Sequence, residues 1–126
     1  MDLGKFREQR ETMLKALESL ITTNNHAPLL RTAEVMNDAK NKDFYAEYLS
    51  ILQTLIHDVW TLCFADNVEK IVNVDISSQL KKQTQNVDRK RLAQWMKEIE
   101  ILQENFTVNL NKKVATDALF LKMAAA

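Results

Sequence analysis

A chain of 126 residues and about 14.6 kDa is the size of one ordinary domain, and folding is expected to hide roughly two-thirds of its unfolded surface. Its 17 Lys and Arg balance 17 Asp and Glu, split 7 against 9 in residues 1–63 and 10 against 8 in residues 64–126, so net charge makes no case for a nucleic-acid or membrane partner. One Gly and one Pro leave it without the residues that phosphate-cradling loops, nucleophile elbows and tight hairpins need, which removes P-loop enzymes, Rossmann enzymes and most β architectures.

Leu3, Phe6, Met13, Leu14, Leu17, Leu20 and Ile21 share a sector about 120° wide at helical winding, and a first helix is expected from Asp2 to Thr22. The run from Thr23 to Pro28 breaks it, and a shorter helix follows from Pro28 to Ala39 with Leu29, Leu30, Ala33 and Met36 inward. A third helix, Lys42 to Ala65, carries two adjacent apolar stripes. One is Phe44, Tyr48, Ile51, Leu55, Val59 and Leu62; the other is Tyr45, Leu49, Leu52, Ile56, Trp60 and Cys63. Glu47, Ser50, Gln53, Thr54, His57, Asp58 and Thr61 fill the polar half. Such a wide apolar face belongs in the middle of a bundle or also meets another chain.

Residues 66–70 read as a loop, and Ile71–Val74 is β-prone but too short to found a sheet. Asp75 is expected to cap a helix over Ile76–Gln85, and Asp88 or Asn86 to open a long one reaching Asn109, with Leu92, Trp95, Met96, Ile99, Leu102 and Phe106 inward. After the turn Asn109–Asn111, a last helix carries Val114, Ala118 and Leu121 on one face. Lys112 and Lys113 lie in its first turn, where the helix dipole disfavours cations, so tertiary contacts must hold it. The expectation is an all-α, compact bundle of about six helices forming a single domain over 1–126, without repeats or low-complexity segments.

Nothing in the residue pattern carries catalysis. Cys63 lies in an apolar run without a base at helical spacing, as an inert buried thiol does, and a lone cysteine makes no disulfide. His26 and His57 have no second ligand at metal-binding spacing, so no metal and no cofactor are expected. Glu98–Glu100 and Asp43–Glu47 lie on helix exteriors, where nothing raises a carboxyl pKa for acid/base work. No apolar run spans a membrane, the first residues are too polar for a signal peptide, and no membrane or small-molecule partner is indicated; the expectation is a soluble, cytoplasmic chain. Lys81, Lys82, Arg89, Lys90 and Arg91, against Asp88 alone, could touch phosphate, but no aromatic residue interleaves them, and a solvated helix junction is the favoured reading.

Three segments are nonetheless distinctive in order and spacing: Ile56-His57-Asp58-Val59-Trp60, then Ile71-Val72-Asn73-Val74-Asp75, then the closing run from Asn109 to Leu121. With the opening Asp2-Leu3, Phe6 and Arg10, they resemble the C-terminal collar domain of the delta-prime subunit of the bacterial DNA polymerase III clamp loader, over nearly the whole chain. His57, Lys112 and Thr116-Asp117 stand where the family usually has Arg, Pro and Leu-Glu. The resemblance implies an oligomerisation domain without catalysis of its own, a piece of a longer subunit whose N-terminal AAA+ module is absent from this chain, with Met1 an added start.

It further implies a pentameric ring with gamma/tau and delta subunits as partners. The sliding clamp and primed DNA are reached only through the full-length complex, for ATP-dependent clamp loading. The candidate subunit-interface residues are Trp60, Leu119, Phe120 and Met123, with burial of the last helix inside its own domain as the other reading. The collar of a gamma/tau or delta subunit, an unrelated helical adaptor, and a single-stranded-DNA binder using residues 81–91 are the rival assignments.

Overall fold

The computed structural model describes residues 3–22, 27–64, 70–105 and 111–125. Six α-helices stand among them: α1 Leu3–Thr22, α2 Ala27–Met36, α3 Tyr45–Phe64, α4 Ser77–Gln83, α5 Arg89–Glu104 and α6 Lys112–Ala125. The described residues contain no strand, and none of them takes positive φ, which is how the fold manages with a single Gly. The break at 23–26 with His26, the loop at 66–69, Phe106, Asn109 and Leu110 lie outside the described residues.

The two stripes of α3 are used for this chain's own core. Leu49, Leu52, Leu55, Ile56 and Val59 are completely buried, because α3 packs against α1 on one side and against α4 and α5 on the other. Helix α6 closes the bundle against α2 and α5. One continuous hydrophobic cluster joins Met13, Leu14 and Leu17 of α1, Leu29 and Met36 of α2, the α3 stripes, Leu92, Trp95 and Ile99 of α5, and Leu119, Phe120 and Met123 of α6.

Helix boundaries shift where side chains compete for the backbone. Helix α2 stops at Met36, not Ala39: Asn37 donates Nδ2 to the Ala33 carbonyl at 2.8 Å, and the Asp38 carboxylate accepts from Lys40 N at 3.2 Å. A 3₁₀ helix, Ala39–Phe44, therefore precedes α3, taking the first residues assigned to it. Asp88, rather than Asn86, caps α5, accepting from Arg91 N at 2.8 Å. Asn111 does the same for α6 through Val114 N at 3.2 Å. Leu3 and Leu30, expected inward, are exposed.

Candidate subunit interface

Two of the three segments that stood out, 56–60 and 71–75, converge with Arg10 on one polar cluster. Asp58, expected on the solvated side of α3, is completely buried. Its Oδ1 accepts from Val72 N at 2.9 Å, and its Oδ2 accepts from Asn73 N at 2.9 Å and Asn73 Nδ2 at 2.8 Å. These bonds explain why the β-prone Ile71–Val74 forms no strand: its backbone donors face a carboxylate instead of a neighbouring chain segment. Asn73 accepts in turn from Arg10 Nη1 at 3.3 Å, and Arg10 forks onto both oxygens of Asp75 at 2.9 and 2.6 Å. Asp75 thus pairs with α1 instead of capping α4, whose N-cap position, Ile76, makes no side-chain cap. The Arg10 bonds hold the Asp75 carboxyl below the ordinary carboxylate range, against an opposing effect of burial. The cluster fixes residues 72–75 onto α1 and α3.

A second polar cluster sets the rotation of α6. The hydroxyls of Tyr45 and Thr116 share a hydrogen bond, and Asn37 Nδ2 donates to Thr116 Oγ1 at 3.2 Å. Burial pushes the Tyr45 phenol up, more than its bond to Thr116 lowers it. At the other end Trp95 Nε1 donates at 2.8 Å to the Met123 carbonyl, one of the last four of the helix and without an intrahelical donor. Lys112 sits in the first turn, as expected, with its ammonium 5.5 Å from the Tyr45 ring centre, which offsets part of the unfavourable dipole.

These tethers decide which face of α6 is inside. Thr116, Leu119, Phe120 and Met123 are buried, and Val114, Ala118 and Leu121 are outside, Val114 at 63% exposure and Leu121 at 56%. Leu119, Phe120 and Met123, named as interface candidates, are therefore core residues of this chain, as in the other reading of the last helix. The signal was present: Leu, Phe and Met offer more apolar area to bury than Val, Ala and Leu, and at about 25 cal/mol per Å² the larger face wins the core. Trp60, the fourth candidate, is only half-buried. Its ring meets Phe64 edge-on at 4.5 Å, and Phe64 is 55% exposed with the Arg89 guanidinium 4.3 Å from its ring centre.

In the basic run 81–91, Lys82, Arg89 and Lys90 are exposed. Arg89 lies over Phe64 of α3, and Arg91 over Trp95 one turn on in its own helix at 4.8 Å, so aromatic rings engage two of the five cations. His57 is exposed, and among the described residues no group of His, Cys, Asp and Glu could hold a metal. Burial pushes the Cys63 thiol up more than Arg89 lowers it, away from nucleophilic character. No helix among the described residues is long and apolar enough to cross a membrane. An apolar groove of about 660 Å³ runs between α1 and α3, floored by Phe6, Phe44 and Ile51 and rimmed by Lys5, Gln9 and Glu47.

The family described as DNA polymerase III, delta subunit, C terminal, matches residues 5–123. No curated protein and no solved structure matches the chain.

Proposed function

From the premise that this chain belongs to the family of C-terminal domains of the DNA polymerase III delta subunit, we propose that it is the collar of a clamp loader, an assembly domain of the delta-prime type with no chemistry of its own. The observation that carries the reading is the match over residues 5–123, which leaves only four residues before it and three after it. Its sister gamma/tau and delta subunits are its partners in a closed ring, and an AAA+ module preceding it in the full subunit meets ATP, the sliding clamp and primed DNA.

The delta-prime assignment draws support from Arg10, Asp58, Asn73 and Asp75, which carry the resemblance to that subunit and form a single hydrogen-bonded cluster. The description of the matching family favours a second reading, the collar of delta itself. Reconstitution with the sister subunits of the same organism separates them. A delta-prime-type collar co-elutes with gamma/tau and delta in one complex, whereas a delta collar competes delta out of it. Failure to associate with any of these subunits would overturn both readings.

A further inference from the structure

We propose that the C-terminal half of α3 and the start of α5 form a binding platform for single-stranded DNA, with the rings of His57, Trp60 and Phe64 stacking bases and Arg89 and Lys90 meeting phosphates. The inference stands on this surface and not on the assembly reading, which leaves nucleic acid to other parts of the full subunit.

At 100° per residue, His57, Trp60 and Phe64 fall within a sector of about 60° on α3. Their rings form a ladder. The His57 and Trp60 centres are 5.9 Å apart with planes tilted by 36°, and Trp60 meets Phe64 edge-on at 4.5 Å. His57 is exposed, Trp60 half-buried and Phe64 more than half exposed, so all three reach solvent. The basic run 81–91 has no aromatic residue of its own, yet the packing of α5 on α3 sets the Arg89 guanidinium 4.3 Å from the Phe64 ring centre. Lys90, next to it in the first turn of α5, is exposed as well. Aromatic rings and cations that are far apart in sequence thus share one surface.

Among the described residues, the acids of α3, α4 and α5 leave this surface to the cations. Of the two in α3, Glu47 lies about 15 Å along the helix from His57, and Asp58 is completely buried on its bonds to Val72 and Asn73. Over residues 77–97 the single acid is Asp88, whose carboxylate turns to the backbone and accepts from Arg91 N. Asp66 and Glu69, which follow Phe64 in sequence, lie outside the described residues. An apolar partner would cover the rings but strip water from Arg89 and Lys90, whereas an acidic one would use the cations and leave the rings idle. A single strand alternates π faces with phosphates and engages both. Duplex DNA keeps its bases stacked inside and offers the rings little beyond its backbone. The Thr54 and Thr61 hydroxyls beside the ladder donate to the Ile51 and His57 carbonyls of their own helix. Neither is set to donate to a ribose 2′-hydroxyl, so a deoxyribose strand gives up nothing here.

The test is titration of the whole chain into a fluorescein-labelled oligothymidylate of about twelve nucleotides, read by anisotropy at low salt, with thermal melts of every variant. Saturable binding is expected. Phe64→Ala should weaken it about fivefold or more, and Arg89→Ala and Lys90→Ala severalfold each, with melting temperatures close to that of the unaltered chain because these side chains face solvent. Lys90→Ala should also lower the slope of log affinity against log salt by about 0.7. Lys113→Ala on α6 should leave binding unchanged. No binding by the unaltered chain, or full affinity in both Phe64→Ala and Arg89→Ala, would overturn the platform. An equal loss in Lys113→Ala would overturn it too, as the mark of diffuse charge. Equal affinity for a duplex of the same length, or tighter binding of oligouridylate, would overturn single-stranded DNA as the occupant. Co-elution with the sister subunits is measured apart, so the platform and the assembly reading can fail independently.

Discussion

Helices α3 and α6 present the same puzzle in sequence, two apolar faces on one rod, and resolve it differently. In α3 both stripes turn to this chain's own core, with Trp60 and Cys63 half-buried at its edge, because α3 packs against α1, α4 and α5. Helix α6 lies at the margin against α2 and α5, and no described element covers its Val114–Ala118–Leu121 face. Periodicity reports how much of a helix is apolar, whereas position in the bundle decides how much of that a single chain can cover. Surplus apolar surface therefore gathers at the edge element, where a neighbour in an assembly can reach it.

Neighbouring residues on α6 give the largest test of that contrast. Phe120→Ala is expected to cost about 3–5 kcal/mol, the transfer loss plus the cavity left among α2, α5 and α6. Leu121→Ala, one position on, is expected to stay within about 0.5 kcal/mol. Urea denaturation of the two variants checks both, and equal losses would erase the distinction between the faces.

Next in size is Asp58→Ala in α3. It strips the acceptor from the Val72 and Asn73 amides and from Asn73 Nδ2, and the expected loss is about 2–4 kcal/mol, with amide exchange rising first across residues 71–76. A smaller effect is expected from Tyr45→Phe, about 1 kcal/mol, because the ring and its packing remain while the Thr116 partner is lost. If the Tyr45 hydroxyl helps to fix the rotation of α6, that variant will also speed amide exchange in α6 relative to α3.

The fold was largely legible because the helical periods are long and the caps are local. Asp88 and Asn111 announce their helices a few residues away, and the two stripes of α3 mark it as either central in the bundle or also meeting another chain. The cluster around Asp58 was not legible in its contacts. An aspartate on a polar stripe reads as solvated until the 70–76 segment, fourteen and fifteen residues on, is seen to bring its amides to it. The resemblance had singled out Arg10, Asp58, Asn73 and Asp75 without saying that they touch. The facing of α6 stood open between two readings: apolar area already favoured Leu119, Phe120 and Met123, while the tethers that fix it come from Tyr45 and Trp95, 71 and 28 residues away. Local period offered two faces; contacts distant in sequence chose one.

The smallest expected effect lies where α1 grips the segment that also engages α3, and it is one of pH. The Asp75 carboxyl ordinarily titrates near 3.8, and the Arg10 fork holds it lower in the folded chain. The unfolded state therefore takes up the proton first as pH falls. The stabilisation is complete above about pH 5 and is lost as pH drops below 4 through the folded-state value. Asp75 is 60% exposed on its side chain, so solvent and salt screen the pair and the contribution is modest. The stability gap between the unaltered chain and Asp75→Asn should accordingly narrow between pH 5 and pH 2 in urea melts, and 1 M salt should shrink it at every pH. Should the gap widen on acidification, the Arg10–Asp75 fork would not be what ties this segment to α1, and the hold would pass to Asn73 and Asp58 alone.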